Sequence, residues 1–216
     1  MNRQLLNVAL GLSVRGMARF ATLGLPLATM IAPGVAHAQF SDSYNFLKAV
    51  RDRDGEKATT LLAKPGGTVI NTRDLKTGET ALHIVVARRD PAWLNFMLAK
   101  GGKPDLANAQ GDTPLMLATQ LRWVDGIRVL LANGATIDKP NDNGETPLIR
   151  AVQLRDLGTV RLLVSLGANP DKRDTIAGMS ARDYAEREGR AAGLTDALAA
   201  AKPVKPANSA VQGPSL

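Results

Sequence analysis

The chain has 216 residues, room for one compact domain or one short repeat array, and is 44% hydrophobic but only 4% aromatic. That balance favours a core of Leu, Ala and Val between small helices over a β-sandwich, which draws on aromatic and β-branched residues. Lys and Arg number 27 against 20 Asp and Glu, a net charge of +7, and there is no cysteine, so disulfides, thiolate nucleophiles, Cys-ligated zinc and iron–sulfur clusters are excluded.

Residues 1–38 read as an address. They carry Arg3, Arg15 and Arg19 and no acid; without them 24 bases face 20 acids, or +4, and net charge gives nucleic-acid binding no support. An apolar stretch runs from Phe20 to Ala38 and ends in Ala36-His37-Ala38. A positive start, an apolar middle and a small-x-small site make a secretory signal peptide, with cleavage expected after Ala38. The alternative is a membrane anchor, but a spanning helix needs about 20 apolar residues, and Pro26, Pro33 and Gly34 interrupt this run. Translation from Met17 would give a shorter leader of the same kind. The leader has no Arg-Arg pair, so the general secretion route is expected over the twin-arginine route. The expectation is a soluble exported protein, periplasmic in a Gram-negative cell, or secreted.

Residues 39–74 hold a degenerate two-helix unit. Ala49 and Leu61-Leu62 are in phase with the later units, and a Pro65-Gly66-Gly67-Thr68 linker comes after them. From 75 to 174 the chain repeats itself. Gly78, Gly111 and Gly144 are 33 residues apart, and Gly178 comes after 34. Two residues beyond each stand Thr80, Thr113, Thr146 and Ser180, then Ala81, Pro114, Pro147 and Ala181. Thr before Pro starts a helix, the hydroxyl capping it and Pro preset at its first position. Met97-Leu98, Leu130-Leu131 and Leu163-Val164 recur in a second helix, which closes at Gly101, Gly134 and Gly167, where glycine permits a left-handed turn. Residues 175–201 form a last unit with Arg182 and Asp183 where Leu and His would stand, and 202–216 read as a disordered tail.

These segments (GETALHIVVA, GDTPLMLAT, GETPLIRAV, then ANGATIDKPNDNG and SLGANPDKRD) resemble the ankyrin repeat over about residues 43 to 201. The resemblance implies an all-α ankyrin-repeat solenoid of four to five helix-turn-helix repeats with β-turn fingers and atypical capping units at both ends. The family places alanine five residues after the capping Thr. Ala118, Ala151 and Ala185 keep that pattern and Val85 departs from it. Function is expected to be binding of another protein, by a monomer, with no enzyme activity, cofactor, metal or nucleic acid, and no membrane after leader cleavage. Exported proteins of this appearance include helpers in oxidative-stress defence. The alternatives are a secreted effector that binds a host protein and, further off, a hydrolase.

Catalytic chemistry finds little material. His37 goes with the leader, leaving His83, at the family's framework histidine position, where it braces adjacent turns. A Ser-His-Asp triad needs a histidine with a nucleophile and an acid, zinc needs three or four ligands, and no phosphate-binding glycine loop is present.

Three surface features emerge from phase. Arg53, Arg89, Arg122 and Arg155 occupy the turn between paired helices, where the family usually has glycine; Asp54, Asp90 and Asp156 come next, with Trp123 the exception. Such Asp residues cap the next helix, whereas Arg has no local advantage over Gly in a left-handed turn. The arginines are either solvated and paired with Asp or they meet a partner. Glu79, Asp112 and Glu145 precede the capping Thr, where a helix N-terminus favours negative charge. Leu121, Leu154 and Trp123, rimmed by Arg122 and Arg155, make a candidate apolar patch; Trp93 falls in phase with the buried side of its helix. Arg88, Arg89, Leu121, Arg122, Trp123, Leu154 and Arg155 are thus the candidate protein-binding residues, since Trp and Arg are frequent interface anchors.

Overall fold

The computed structural model describes residues 33–65, 69–187 and 193–200. The expected leader up to Ala32 and the expected tail from 202 lie outside the described residues. The described residues form ten α-helices in five antiparallel pairs: α1 (Pro33–Asp52) with α2 (Gly55–Leu62), α3 (Ala81–Ala87) with α4 (Pro91–Ala99), α5 (Pro114–Gln120) with α6 (Val124–Ala132), α7 (Pro147–Gln153) with α8 (Leu157–Ser165), and α9 (Ala181–Arg187) with α10 (Leu194–Ala199). The first helix, α1, begins six residues before Gln39 and runs through the expected cleavage site.

Most of these helices have six to nine residues, too few to persist alone in water. Stacking holds them. The first helices of successive pairs pack side by side, α1 on α3, α3 on α5, α5 on α7 and α7 on α9. Leu82, Leu115 and Leu148 recur in this inner layer, and Leu94, Ile127 and Val160 in the outer one, all buried. Val85, the departure from the small-residue pattern, is as fully buried as Ala118 and Ala151.

The helix starts are as their sequences dictate. The Thr113 and Thr146 hydroxyls accept from the backbone N–H groups of Met116 and Ile149 at 3.2 and 3.3 Å. Asp54, Asp90 and Asp156 do the same for the second helices, accepting from Lys57, Trp93 and Thr159 at 2.9, 3.1 and 3.2 Å. Each satisfies a donor that a helix start otherwise leaves open.

Three seams of hydrogen bonds stitch neighbouring repeats. At the fingers, Ala109, Asp142 and Thr175 donate their backbone N–H to the carbonyls of Thr77, Gln110 and Asn143 at 2.9, 3.3 and 2.9 Å. In the loops after the second helices, the side chains of Asn71, Asp105 and Asp138 accept from the backbone N–H of Lys103, Thr136 and Asn169 at 2.8, 2.8 and 3.0 Å. The third seam is made by arginines.

Candidate binding surface

Arg53, Arg89, Arg122 and Arg155 all sit in left-handed backbone, with φ of 59, 52, 53 and 51°. A residue with a Cβ is strained there by about 1–2 kcal/mol. Two of the arginines show what the side chain supplies in return. Arg89 Nη2 donates to the Leu121 carbonyl at 2.6 Å, and Arg122 Nη2 to the Leu154 carbonyl at 2.7 Å. Each reaches the corresponding turn of the next repeat, a bond glycine cannot make. A hydrogen bond from a charged donor is worth about 1.5–3 kcal/mol when shielded, less at an exposed edge, so the two terms nearly balance. Arg53 lies 3.8 Å from the Asp90 carboxylate instead. All four arginines remain exposed and line one edge of the stack.

Arg88 turns inward. Its side chain is 16% exposed, it donates to the Val50 carbonyl, its Nε is 3.3 Å from Asp90, and its guanidinium lies 4.9 Å over the Trp93 ring. Burial pushes its pKa down, and Asp90 opposes that shift. Trp93 packs against the core, as its phase implied, but is only half-buried: its ring meets Phe96 edge-on at 6.0 Å, with Arg88 as a lid.

The candidate apolar patch is largely drawn into the stack. Leu121, Trp123 and Leu154 are half-buried, the first two packed against the core. Trp123 stands where its neighbours have a capping Asp and makes no side-chain cap. Its indole folds back over Gly126, so closely that a Cβ there would come within 2.2 Å of the ring. Gly126 is in phase with Trp93. One repeat therefore has Asp then Trp three residues later, and the next has Trp then Gly, so the aromatic and the small residue trade places. The structure aligns the seven candidates along the turn edge, with Arg89, Arg122 and Arg155 exposed, Arg88 inward and the apolar three partly covered.

The acidic row is also engaged. Asp112 accepts from Gln120 and Asn141, each at 3.0 Å. Glu145 accepts from Arg150, from Gln153 at 2.9 Å and from Asn141 at 3.2 Å. Glu79 accepts from the Thr77 hydroxyl at 3.2 Å. His83 is fully buried, with Nε2 at 2.9 Å from the Asp112 carbonyl and Nδ1 near the Thr80 N–H and hydroxyl at 3.2 and 3.0 Å. A carbonyl only accepts, so Nε2 carries the proton and Nδ1 accepts from Thr80. Burial holds the His83 pKa below the ordinary imidazole value. At the other end Asp183 repeats the device, accepting from the Ser180 N–H and hydroxyl, both at 2.9 Å. Among the described residues no group of three or more His, Asp or Glu is placed to hold a metal ion, and no helix is long and apolar enough to cross a membrane.

A feature that phase does not single out lies at the first finger. Between α1 and that finger is a cavity of about 390 Å³, lined by Tyr44, Leu47, Arg51, Arg73, Leu75 and Lys76 among others. Tyr44 is 65% exposed and Leu75 is 89% exposed. The signal in the sequence is a leucine in a polar turn, where the other fingers carry Ala109, Asp142 and Thr175. Beside it, hydrogen bonds from Arg51 and the Lys76 and Thr77 amides lower the Asp74 pKa to about 2.

Paired helices, projecting fingers and hydrogen bonds between neighbouring repeats define a helical-repeat scaffold that presents an extended surface. The family description "Ankyrin repeats (3 copies)" matches residues 46–141 and 82–174, together more than half of the chain. The chain belongs to the ankyrin-repeat family, whose repeats mediate protein–protein interaction. No curated protein sequence matches it.

Proposed function

We propose that this chain is an exported, non-catalytic scaffold that binds another protein in the periplasm, serving as a helper of an exported enzyme or stress-defence protein. The observation that carries the non-catalytic reading is the commitment of the chemically capable groups to the frame. His83 is buried with both ring nitrogens bonded to finger backbone, and Asp112 and Glu145 hold side chains of their own repeats. What remains exposed is surface: the first-finger cavity and the edge of Arg89, Arg122 and Arg155, with the half-buried Leu121, Trp123 and Leu154 beneath it. Export is supported by the arginine-bearing, apolar leader ending at Ala38.

Two measurements test this. A tagged chain expressed in a Gram-negative host should fractionate with the periplasm and begin at Gln39 on N-terminal sequencing. A form retained in the membrane with its leader intact overturns export, and recovery from the medium favours the effector reading. Photo-crosslinking residues placed at Leu75 and at Arg155 should capture a partner that one placed at Asn95, on the outer helix layer, does not. Equal yields from all three positions overturn the assignment of binding to these surfaces.

A further inference from the structure

We infer that the cavity beside the first finger docks an extended, acidic peptide segment of the partner protein, its backbone pairing with the Leu75 N–H and an apolar side chain entering between Tyr44, Leu47 and Leu75. The inference rests on the scaffold reading above. It begins with the finger seam. Ala109, Asp142 and Thr175 each donate a backbone N–H to the preceding finger. Leu75 is the residue in phase with them, on the first finger, and its N–H has no acceptor among the described residues. The site that a preceding finger would fill is bordered instead by α1 and the cavity. A peptide carbonyl there would complete a bond the fold already makes three times, at 2.9–3.3 Å.

The side chains set the chemistry of the occupant. Tyr44 and Leu75 are large and exposed, and with buried Leu47 they form an apolar floor and walls. A single such leucine is ordinary; one that faces an exposed tyrosine across a cavity beside an open backbone donor is a recognition site for an extended chain, in which pairing supplies affinity and a pocket supplies specificity. The lining carries Arg51, Arg73 and Lys76 against the one carboxylate of Asp74, which Arg51 and two finger amides already satisfy. Arg73 and Lys76 are exposed. The surplus is positive, so acidic residues flanking the apolar one complement it and speed association.

The test uses the purified full chain and fluorescein-labelled nonapeptides: one with four Asp or Glu around a central Leu, one with the Leu replaced by Ser, and one with the acids replaced by Lys. Anisotropy should show saturable binding of the first and roughly tenfold or greater weakening for the other two. Leu75→Ala removes the apolar wall and keeps the N–H. Leu75→Pro also removes the N–H, at a turn position that proline suits, and should bind more weakly than Leu75→Ala. Arg73→Glu with Lys76→Glu should weaken the acidic peptide and strengthen the lysine one. In NMR, the Leu75 amide should shift and become protected from exchange on binding, which a merely structural effect of the variants would not produce. Equal binding of acidic and basic peptides, an unchanged Leu75 amide, or no binding of any peptide overturns the docking site. If the cross-linker at Arg155 still captures a partner in that case, the scaffold reading stands without it; if it captures nothing either, both fall.

Discussion

The fingers and the turns between paired helices both pass through left-handed backbone, yet one row is glycine and the other arginine. Gly78, Gly111 and Gly144 have φ of 69, 77 and 75°, and Arg89, Arg122 and Arg155 lie only 16–26° below these, at 52, 53 and 51°. Distance to the neighbouring repeat separates them. A Cβ on Gly78, Gly111 or Gly144 would come within 2.6, 2.4 or 2.6 Å of backbone nitrogen in the next finger. At the turn edge a side chain has room to extend and reaches the next repeat's carbonyl. At these six positions the same dihedral goes with glycine where the copies approach closely and with arginine where a side chain has room.

The largest expected effect breaks the finger side of that comparison. Gly111→Ala adds left-handed strain to a collision with Asp142 and should destabilise by about 3 kcal/mol. Gly178→Ala, with φ of 64° but nothing among the described residues within 4 Å of the added Cβ, should cost about 1 kcal/mol. Urea denaturation of the two variants measures the difference; equal losses would show that close approach contributes nothing.

On the turn side, Arg122→Ala keeps the strain and loses the bond to Leu154, and should destabilise by about 1 kcal/mol. Arg122→Gly loses the bond but relieves the strain, and should be close to neutral. If the alanine variant is as stable as the glycine one, Arg122 does not act as a staple.

His83 belongs to the finger side and titrates. Its folded pKa lies below the ordinary 6.5, so the unfolded chain binds the proton more readily. The resulting stability is present above the unfolded value and is lost as pH falls through it toward the folded one. Thermal melts between pH 7.5 and 5 should show this loss. His83→Met, which copies the residue in phase at Met116, should be flatter over that window, and an identical slope would remove His83 as the cause.

The smallest effect lies between the two edges. The hydroxyl of Thr119 is buried with no hydrogen-bond partner among the described residues, in phase with Val86 and Val152. Thr119→Val should stabilise by about 1 kcal/mol, read as a raised melting temperature; a lower one would mean the hydroxyl is satisfied.

The repeat frame is legible in the sequence because its determinants are local. Thr-Pro starts, glycine ends and a 33-residue period act within one repeat, and they specify the helices and fingers. What escapes depends on neighbours. Trp123 reads as an exposed anchor because phase cannot show that Gly126 leaves a bed for its indole. Arg88 reads as surface because arginine usually is, though it stands in phase with half-buried Leu121 and Leu154. Tyr44 and Leu75 lie far apart in the chain and share no repeat position, so no periodicity pairs them. The Leu75 N–H, without an acceptor among the described residues, stands out only once α1 is seen to lie where a preceding finger would be.

The loop seam of Asn71, Asp105 and Asp138 bears on how such a chain can lengthen. Each side chain is read by the backbone N–H of a residue one repeat further on, at Lys103, Thr136 and Asn169. A tandem copy of residues 111–143 would meet its own kind on both sides. Asp138 would find a second Thr136, Arg122 a second Leu121, and Asn143 a second Asp142. The middle of the molecule therefore accepts duplication without any compensating substitution, whereas the ends do not. Growth of the lineage by unequal crossing-over would add interior copies and leave the first finger, with its leucine and its cavity, at the margin.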